Sequence, residues 1–165
     1  MDGVIARMVS LPRFLDERGN LSFLENDSQI PFTIKRVHWL YDVPGGEMRG
    51  GLAYKETEEF IIAMSGSFDV TVDNGSEKEV YHLNRSYMGL YVPGGIWRVI
   101  DNVSTNAVAL IVASTFYDAS DAIRDYGAIL KTRNLGEPRF MIVPSSNLTG
   151  TTVFGKVISA WWRTA

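Results

Sequence analysis

Residues 59–83 limit the fold more than any other stretch of this chain. EEFIIAM and SFDVTV are two β-branched and aromatic runs joined across Ser65-Gly66, and Asp73-Asn74-Gly75 follows at once. Asn-Gly favours the positive backbone angles of a tight hairpin turn, so Glu79–Leu83 is predicted as the return strand. The same rhythm continues on both sides. Thr33–Tyr41 reads as a strand, Gly89–Val92 runs into the turn Pro93-Gly94-Gly95, and Trp97–Asp101 and Ala107–Ser114 read as two more. Short strands recurring about every ten residues predict an all-β sandwich or barrel.

One segment breaks the rhythm. Asp118–Leu130 (DASDAIRDYGAIL) is predicted as a short helix, with Asp118 or Ser120 as cap and Ile123, Tyr126 and Leu130 on one face. Beyond about Arg133 the chain turns to Gly, Pro, Ser and Thr with scattered large apolar residues. We therefore expect one domain over 1–137 and a C-terminal extension over 138–165, whose chemistry is not legible. Trp161-Trp162 is expected to pack on the core or on a partner chain. Asn147-Leu148-Thr149 matches a glycosylation sequon, which without a secretion signal reads as a chance match.

Composition narrows the function. A formal charge of −3 argues against a nucleic-acid surface, which is ordinarily basic. The absence of cysteine removes disulfides, thiolate zinc sites and a Cys nucleophile. No apolar run approaches the roughly 18 residues that suggest a membrane span, and the start lacks a signal-peptide core. The expected location is cytoplasmic.

Residues 46–66 (GEMRGGLAYKETEEFIIAMSG) have the spacing of a cupin's first metal motif: Gly, five residues, His-x-His, three or four residues, Glu, about six residues, Gly. The two histidine positions hold Leu52 and Tyr54, and the glutamate position is Glu58 or Glu59. The second motif survives as Pro93, Gly95 and Asn102, with Arg98 in its histidine slot. Such metals need imidazole and carboxylate donors. The chain has only two histidines, His38 and His82, and neither fills a motif slot. No metal and no cofactor are expected.

Arginine suits phosphate, because its planar fork pairs with two oxygens. Arg18, Lys35, Arg36, Arg49 and Arg98 lie in or beside the segments that would line a cavity. Alternation along a strand puts Arg36, His38 and Leu40 on one face and Lys35, Val37 and Trp39 on the other, and we expect the first set to point inward. His38 is the candidate cavity imidazole, able to titrate near neutral pH, with a satisfied structural histidine as the alternative. Tyr54 is a candidate proton donor or sugar partner; its reference pKa of about 10 handicaps it as a base unless a cation such as Arg98 lowers it. It is otherwise an aromatic filler where a site has died. His82 is read as a surface residue.

Together, Asp16-Glu17-Arg18-Gly19-Asn20-Leu21, Pro31-Phe32-Thr33-Ile34-Lys35-Arg36-Val37, Arg49-Gly50, Gly66-Ser67, Gly89-Leu90-Tyr91-Val92, Ile96-Trp97 and Ala113-Ser114-Thr115-Phe116-Tyr117-Asp118 carry a resemblance. From about Phe14 to Tyr126 the chain resembles the dTDP-sugar 3,4-ketoisomerases, the WxcM-like cupins of deoxysugar and cell-surface polysaccharide biosynthesis. The resemblance implies a double-stranded β-helix closed as a jelly-roll barrel, a homodimer, and a dTDP-linked sugar as partner. It implies transfer of a carbonyl from C4 to C3 of dTDP-4-keto-6-deoxyglucose through an enediol, without metal. Its general base is a histidine in His-Ala-His, where this chain has Leu52-Ala53-Tyr54. The catalytic candidates are therefore Tyr54 and His38, at the sugar. The substrate-binding candidates are Arg18, Arg36, Arg49, Tyr91 and Arg98, with Arg36 and Arg49 at the pyrophosphate and Arg18 and Arg98 near C4. The alternative is a catalytically inactive barrel that binds a nucleotide sugar or a partner protein.

Overall fold

A computed structural model describes residues 5–134. The extension from 138 onward, with the tryptophan pair and the sequon, lies outside the described residues. The strands are β1 (Arg7–Ser10), β2 (Arg13–Asp16), β3 (Gly19–Ser22), β4 (Arg36–Leu40), β5 (Arg49–Tyr54), β6 (Glu59–Ser65), β7 (Phe68–Asp73), β8 (Lys78–Leu83), β9 (Met88–Val92), β10 (Trp97–Asp101), β11 (Val108–Ala113) and β12 (Ala122–Ile123). They are followed by α1 (Tyr126–Asn134).

All pairings are antiparallel. The first sheet runs β1-β9-β6-β11-β4, the second β12-β5-β10-β7-β8, and β2 with β3 forms a separate hairpin. The expected barrel closure is not found. Among the described residues neither sheet closes on itself or joins the other: β1 and β4 are the edges of one, β12 and β8 of the other. A barrel needs a continuous hydrogen-bonded ladder around its circumference. Here two of the four edge strands, β1 and β12, are only four and two residues long, and what joins the sheets is side-chain packing. The architecture is an open two-sheet sandwich with a short helix.

The core shows why. In β7, Phe68, Val70 and Val72 are buried while Asp69, Thr71 and Asp73 are half-buried, the alternation of a sheet with one face inside. In β6, Glu59 through Ala63 are all buried. Ile61 and Ala63 face the second sheet. Phe60 and Ile62 face outward into a smaller cluster capped by Leu11, Ile30 and Phe32. The unbroken apolar run is thus a strand covered on both faces.

The predicted hairpin is present. Asn74 accepts from the amides of Ser76 and Glu77 at 2.9 Å each, and β7 returns as β8. At the preceding turn Gly66 has φ +65°, and a Cβ there would meet Ala107 at 2.8 Å, so glycine is required on both counts.

The predicted helix is displaced. Asp118 does cap, accepting from Ser120, but it caps a single 3-10 turn at Ala119–Asp121. Ala122-Ile123 then extend and pair with Tyr54-Ala53, and the α-helix begins at Tyr126. A free sheet edge on β5 takes two residues that periodicity assigns to the helix. No helix among the described residues is long and apolar enough to cross a membrane.

Candidate functional site

Charged and polar side chains of the two sheets gather in one half-buried crevice, where Arg36 of β4 meets Tyr54 of β5. Residues paired across strands share a face, which yields the arrangement directly. In the first sheet Arg36 lies opposite Ala113, and Ala113 opposite Glu59. The small side chain of Ala113 leaves room between the two ionic residues. The next inward row is His38, Ile111, Ile61 and Leu90, so the imidazole is set among hydrocarbon. In the second sheet Arg98 lies opposite both Val72 and Leu52.

A bulge shapes the β5 side. Pairing slips between Arg98 and Val99, and Gly50 and Gly51 both have positive φ. The slip sets Leu52 beside Arg98, and alternation then aims Tyr54 into the crevice. A Cβ on Gly50 would lie 2.5 Å from Nη1 of Arg98, so glycine makes room for that guanidinium.

Arg98 and Glu59 form a buried, two-pronged ion pair: Nε donates to Oε2 at 2.5 Å and Nη2 to Oε1 at 2.9 Å. Tyr54 lies over this pair, with its ring centroid 6.0 Å from the Arg98 guanidinium carbon. Arg36 approaches the same ring to 5.8 Å and the Tyr117 ring to 5.6 Å. Nε and Nη2 of Arg36 and Nδ1 of His38 are buried and have no hydrogen-bond partner among the described residues. The His38 pKa lies below its ordinary value. Burial is the main cause; Arg36 and Arg98 push the same way, and Glu59 opposes them. At neutral pH the ring is uncharged, with a lone pair able to take a proton.

Asp121 anchors the far end of β5. Its carboxylate accepts from the amides of Glu56 at 3.0 Å and Thr57 at 3.1 Å and from the Thr57 hydroxyl. Burial pushes its pKa up, but these hydrogen bonds outweigh burial and hold it below the usual carboxylate value.

The structure therefore brings together Arg36, His38, Tyr54 and Arg98. It does not bring in the other three candidates. Arg18 is on the exposed β2–β3 turn, paired with Asp16 at 2.8 Å. Arg49 is exposed at the start of β5 and, among the described residues, reaches only the Met48 carbonyl. Tyr91 is on the outer face of its sheet, 6.4 Å from the Phe32 ring and bonded to Glu58; burial and that carboxylate raise its pKa. His82 is exposed, as read, and meets Asp69 at 2.6 Å. Two residues were missed. Glu59 was weighed only as a metal ligand, although a carboxylate heading the apolar run EEFIIAM signals a buried counter-charge. Tyr117 gave no signal of its own. Among the described residues no three His, Asp or Glu side chains converge as metal donors.

Arg36, His38 and Tyr54 form a half-buried cluster of cationic and proton-exchanging side chains beside the Glu59–Arg98 pair, between the sheets of a β-sandwich. The chain belongs to the WxcM-like family: the family model described as FdtA, WxcM-like, C-terminal matches residues 5–134. A TDP-4-oxo-6-deoxy-alpha-D-glucose-3,4-oxoisomerase from Aneurinibacillus thermoaerophilus is 34% identical over 120 residues, which cover 73% of this chain and 86% of that one. Among solved structures, the WlaRB TDP-quinovose 3,4-ketoisomerase from Campylobacter jejuni superposes with a TM-score of 0.74 at 40% identity, covering 76% of this chain and 97% of that one. The QdtA sugar 3,4-ketoisomerase from Thermoanaerobacterium thermosaccharolyticum, solved in complex with TDP, gives 0.76 at 28% identity, covering 79% and 95%.

Proposed function

We propose that the chain is a nucleotide-sugar 3,4-ketoisomerase that acts on a dTDP-4-keto-6-deoxyhexose in deoxysugar synthesis and works as a homodimer. The observation that carries this reading is the meeting of His38, Tyr54 and Arg36 in one half-buried cluster, with buried nitrogens on Arg36 and His38, in a chain of this family. The reaction removes a proton from C3, passes through an enediol and returns a proton at C4. His38, neutral and unpartnered at Nδ1, is the acceptor for the first step. Tyr54, whose hydroxyl can donate a proton, is suited to the second. The TDP bound by one relative supports a dTDP-linked sugar as partner. Arg49, exposed at the rim of β5, is free for the pyrophosphate.

One observation favours a second reading. Leu52 occupies a position where the related motif has an imidazole, and leucine transfers no proton. In that reading the crevice binds a nucleotide sugar without turning it over. Incubation with dTDP-4-keto-6-deoxyglucose in deuterated water separates the two. Isomerisation requires solvent deuterium at C3 or C4. Its absence, at protein levels sufficient for a related isomerase, removes the catalytic reading. If the parent proves inactive, gain of exchange in Tyr54→His shows that only the base was lost.

A further inference from the structure

Two arginines reach this crevice, and only one is neutralised. Arg98 gives two of its donors to Glu59. Arg36 has no carboxylate partner among the described residues. Its two buried, unpartnered nitrogens, Nε and Nη2, form one edge of the guanidinium. That edge is the part of arginine that pairs in parallel with two oxygens. The rings of Tyr54 and Tyr117 lie beside the guanidinium and occupy none of its N–H groups. His38, two residues along the same face, also keeps a buried, unpartnered nitrogen. Unsatisfied buried donors on a cation are costly and call for a partner that the described residues do not supply.

The isomerase reading, on which this inference rests, supplies such a partner. When the C3 proton leaves, its bonding pair forms the C3–C4 double bond and the carbonyl π pair moves onto the C4 oxygen. The resulting enediolate carries two neighbouring oxygens and a negative charge. Transfer of the C3 hydroxyl proton, return of the pair and protonation at C4 leave the carbonyl at C3, with no net oxidation. We propose that Arg36 is the catalytic electrophile of this reaction. Its Nε–Nη2 edge donates to the vicinal C3 and C4 oxygens and stabilises the enediolate, while the pyrophosphate is held elsewhere. This changes the role expected of Arg36, which was phosphate binding. A buried edge beside the proton-transfer groups fits charge that develops during the reaction, since preorganised donors in a dry site act most strongly there.

The test measures dTDP affinity by calorimetry and deuterium incorporation at saturating dTDP-4-keto-6-deoxyglucose, on the full chain, for the parent, Arg36→Met and Arg36→Lys. The expected result is dTDP affinity within about threefold of the parent for both variants. Exchange falls by about a hundredfold or more in Arg36→Met. It falls by less in Arg36→Lys, which keeps the charge without the fork and serves alone if the Met variant does not melt as a folded protein. A tenfold or greater loss of dTDP affinity with saturated exchange unchanged makes Arg36 a phosphate clamp and overturns the proposal. A parent that binds dTDP and exchanges no deuterium overturns the isomerase reading itself, and this proposal with it.

Discussion

At the scale of single residues, the site works by contrast between groups that are chemically alike. Arg98 and Arg36 are both cations at the crevice, yet the first is neutralised by Glu59 and the second is not. Removing one member of a buried pair is far costlier than the pair is worth, which keeps Glu59 and Arg98 locked together. His38 is the group whose behaviour pH reveals. The charged groups that act on it are Glu59 on β6, Arg36 on its own strand and Arg98 on β10. Burial, aided by the two cations, holds its pKa below the ordinary 6.5. If His38 is the base, kcat/KM for deuterium exchange is constant above neutrality and falls about tenfold per pH unit once pH drops below the His38 pKa. His38→Asn removes that acidic limb, and an unchanged limb in the variant assigns it to another group. Stability follows the same sign. The unfolded chain takes up the His38 proton first as pH falls below about 6.5, so stability is full above that value and declines toward the lower folded pKa. The His38→Asn variant lacks this decline in urea titrations.

At the scale of elements, β5 has to present Tyr54 and still clear Arg98. It does so through a bulge containing two glycines with positive φ. Gly50→Ala tests this: the residue would be strained at φ +93°, and its Cβ would press on Nη1 of Arg98 at 2.5 Å and on the Arg98 carbonyl at 3.1 Å. Because Glu59 pins that guanidinium, the clash does not relax by rotation of a free side chain. We expect a stability loss of about 1–3 kcal/mol by urea unfolding and a fall in exchange, the first from strain and the second from the displaced pair. Wild-type stability in Gly50→Ala means that the bulge is not under this constraint. The same element shows what the sequence made legible. Strand alternation put Arg36 and His38 on one face, because a period of two decides which residues share a side before any contact is known; that this side points inward was a separate expectation. Asn74-Gly75 marked its hairpin, because the turn requires those backbone angles. The Glu59–Arg98 pair was not legible as a pair, since only sheet order brings residues of β6 and β10 together across the sandwich. Strands β1 to β3 went unread because four-residue strands with mixed polarity have no periodicity of their own. The closure expected from the family resemblance failed for a related reason: strand count and spacing do not report whether edge strands meet.

At the scale of the molecule, an open sandwich leaves edges that need covering. The outer face of the first sheet is capped by Leu11, Ile30 and Phe32 over β6 and β11, whereas at β4 none of the described residues caps it. There Val37, Trp39 and Tyr41 are 48%, 57% and 60% exposed on the face opposite to Arg36 and His38. Large apolar side chains grouped on an edge strand mark a binding surface. The occupant we propose is a second copy of the chain, because a two-fold contact places the same apolar strand face on both sides and covers two such patches at once. The consequence for function is specific. The strand that carries Arg36 and His38 would be held from behind by the partner, so association and site geometry would be linked. Light scattering on the full chain at micromolar concentration is expected to give twice the chain mass. Trp39→Lys, which introduces a charge into the patch without touching the inner face, is expected to give monomers. Its exchange rate should fall at least several-fold, and recover as protein concentration is raised toward the point where dimers reform. A monomeric parent, or a Trp39→Lys variant that is still a dimer, places the interface elsewhere and removes the link between β4 packing and the site.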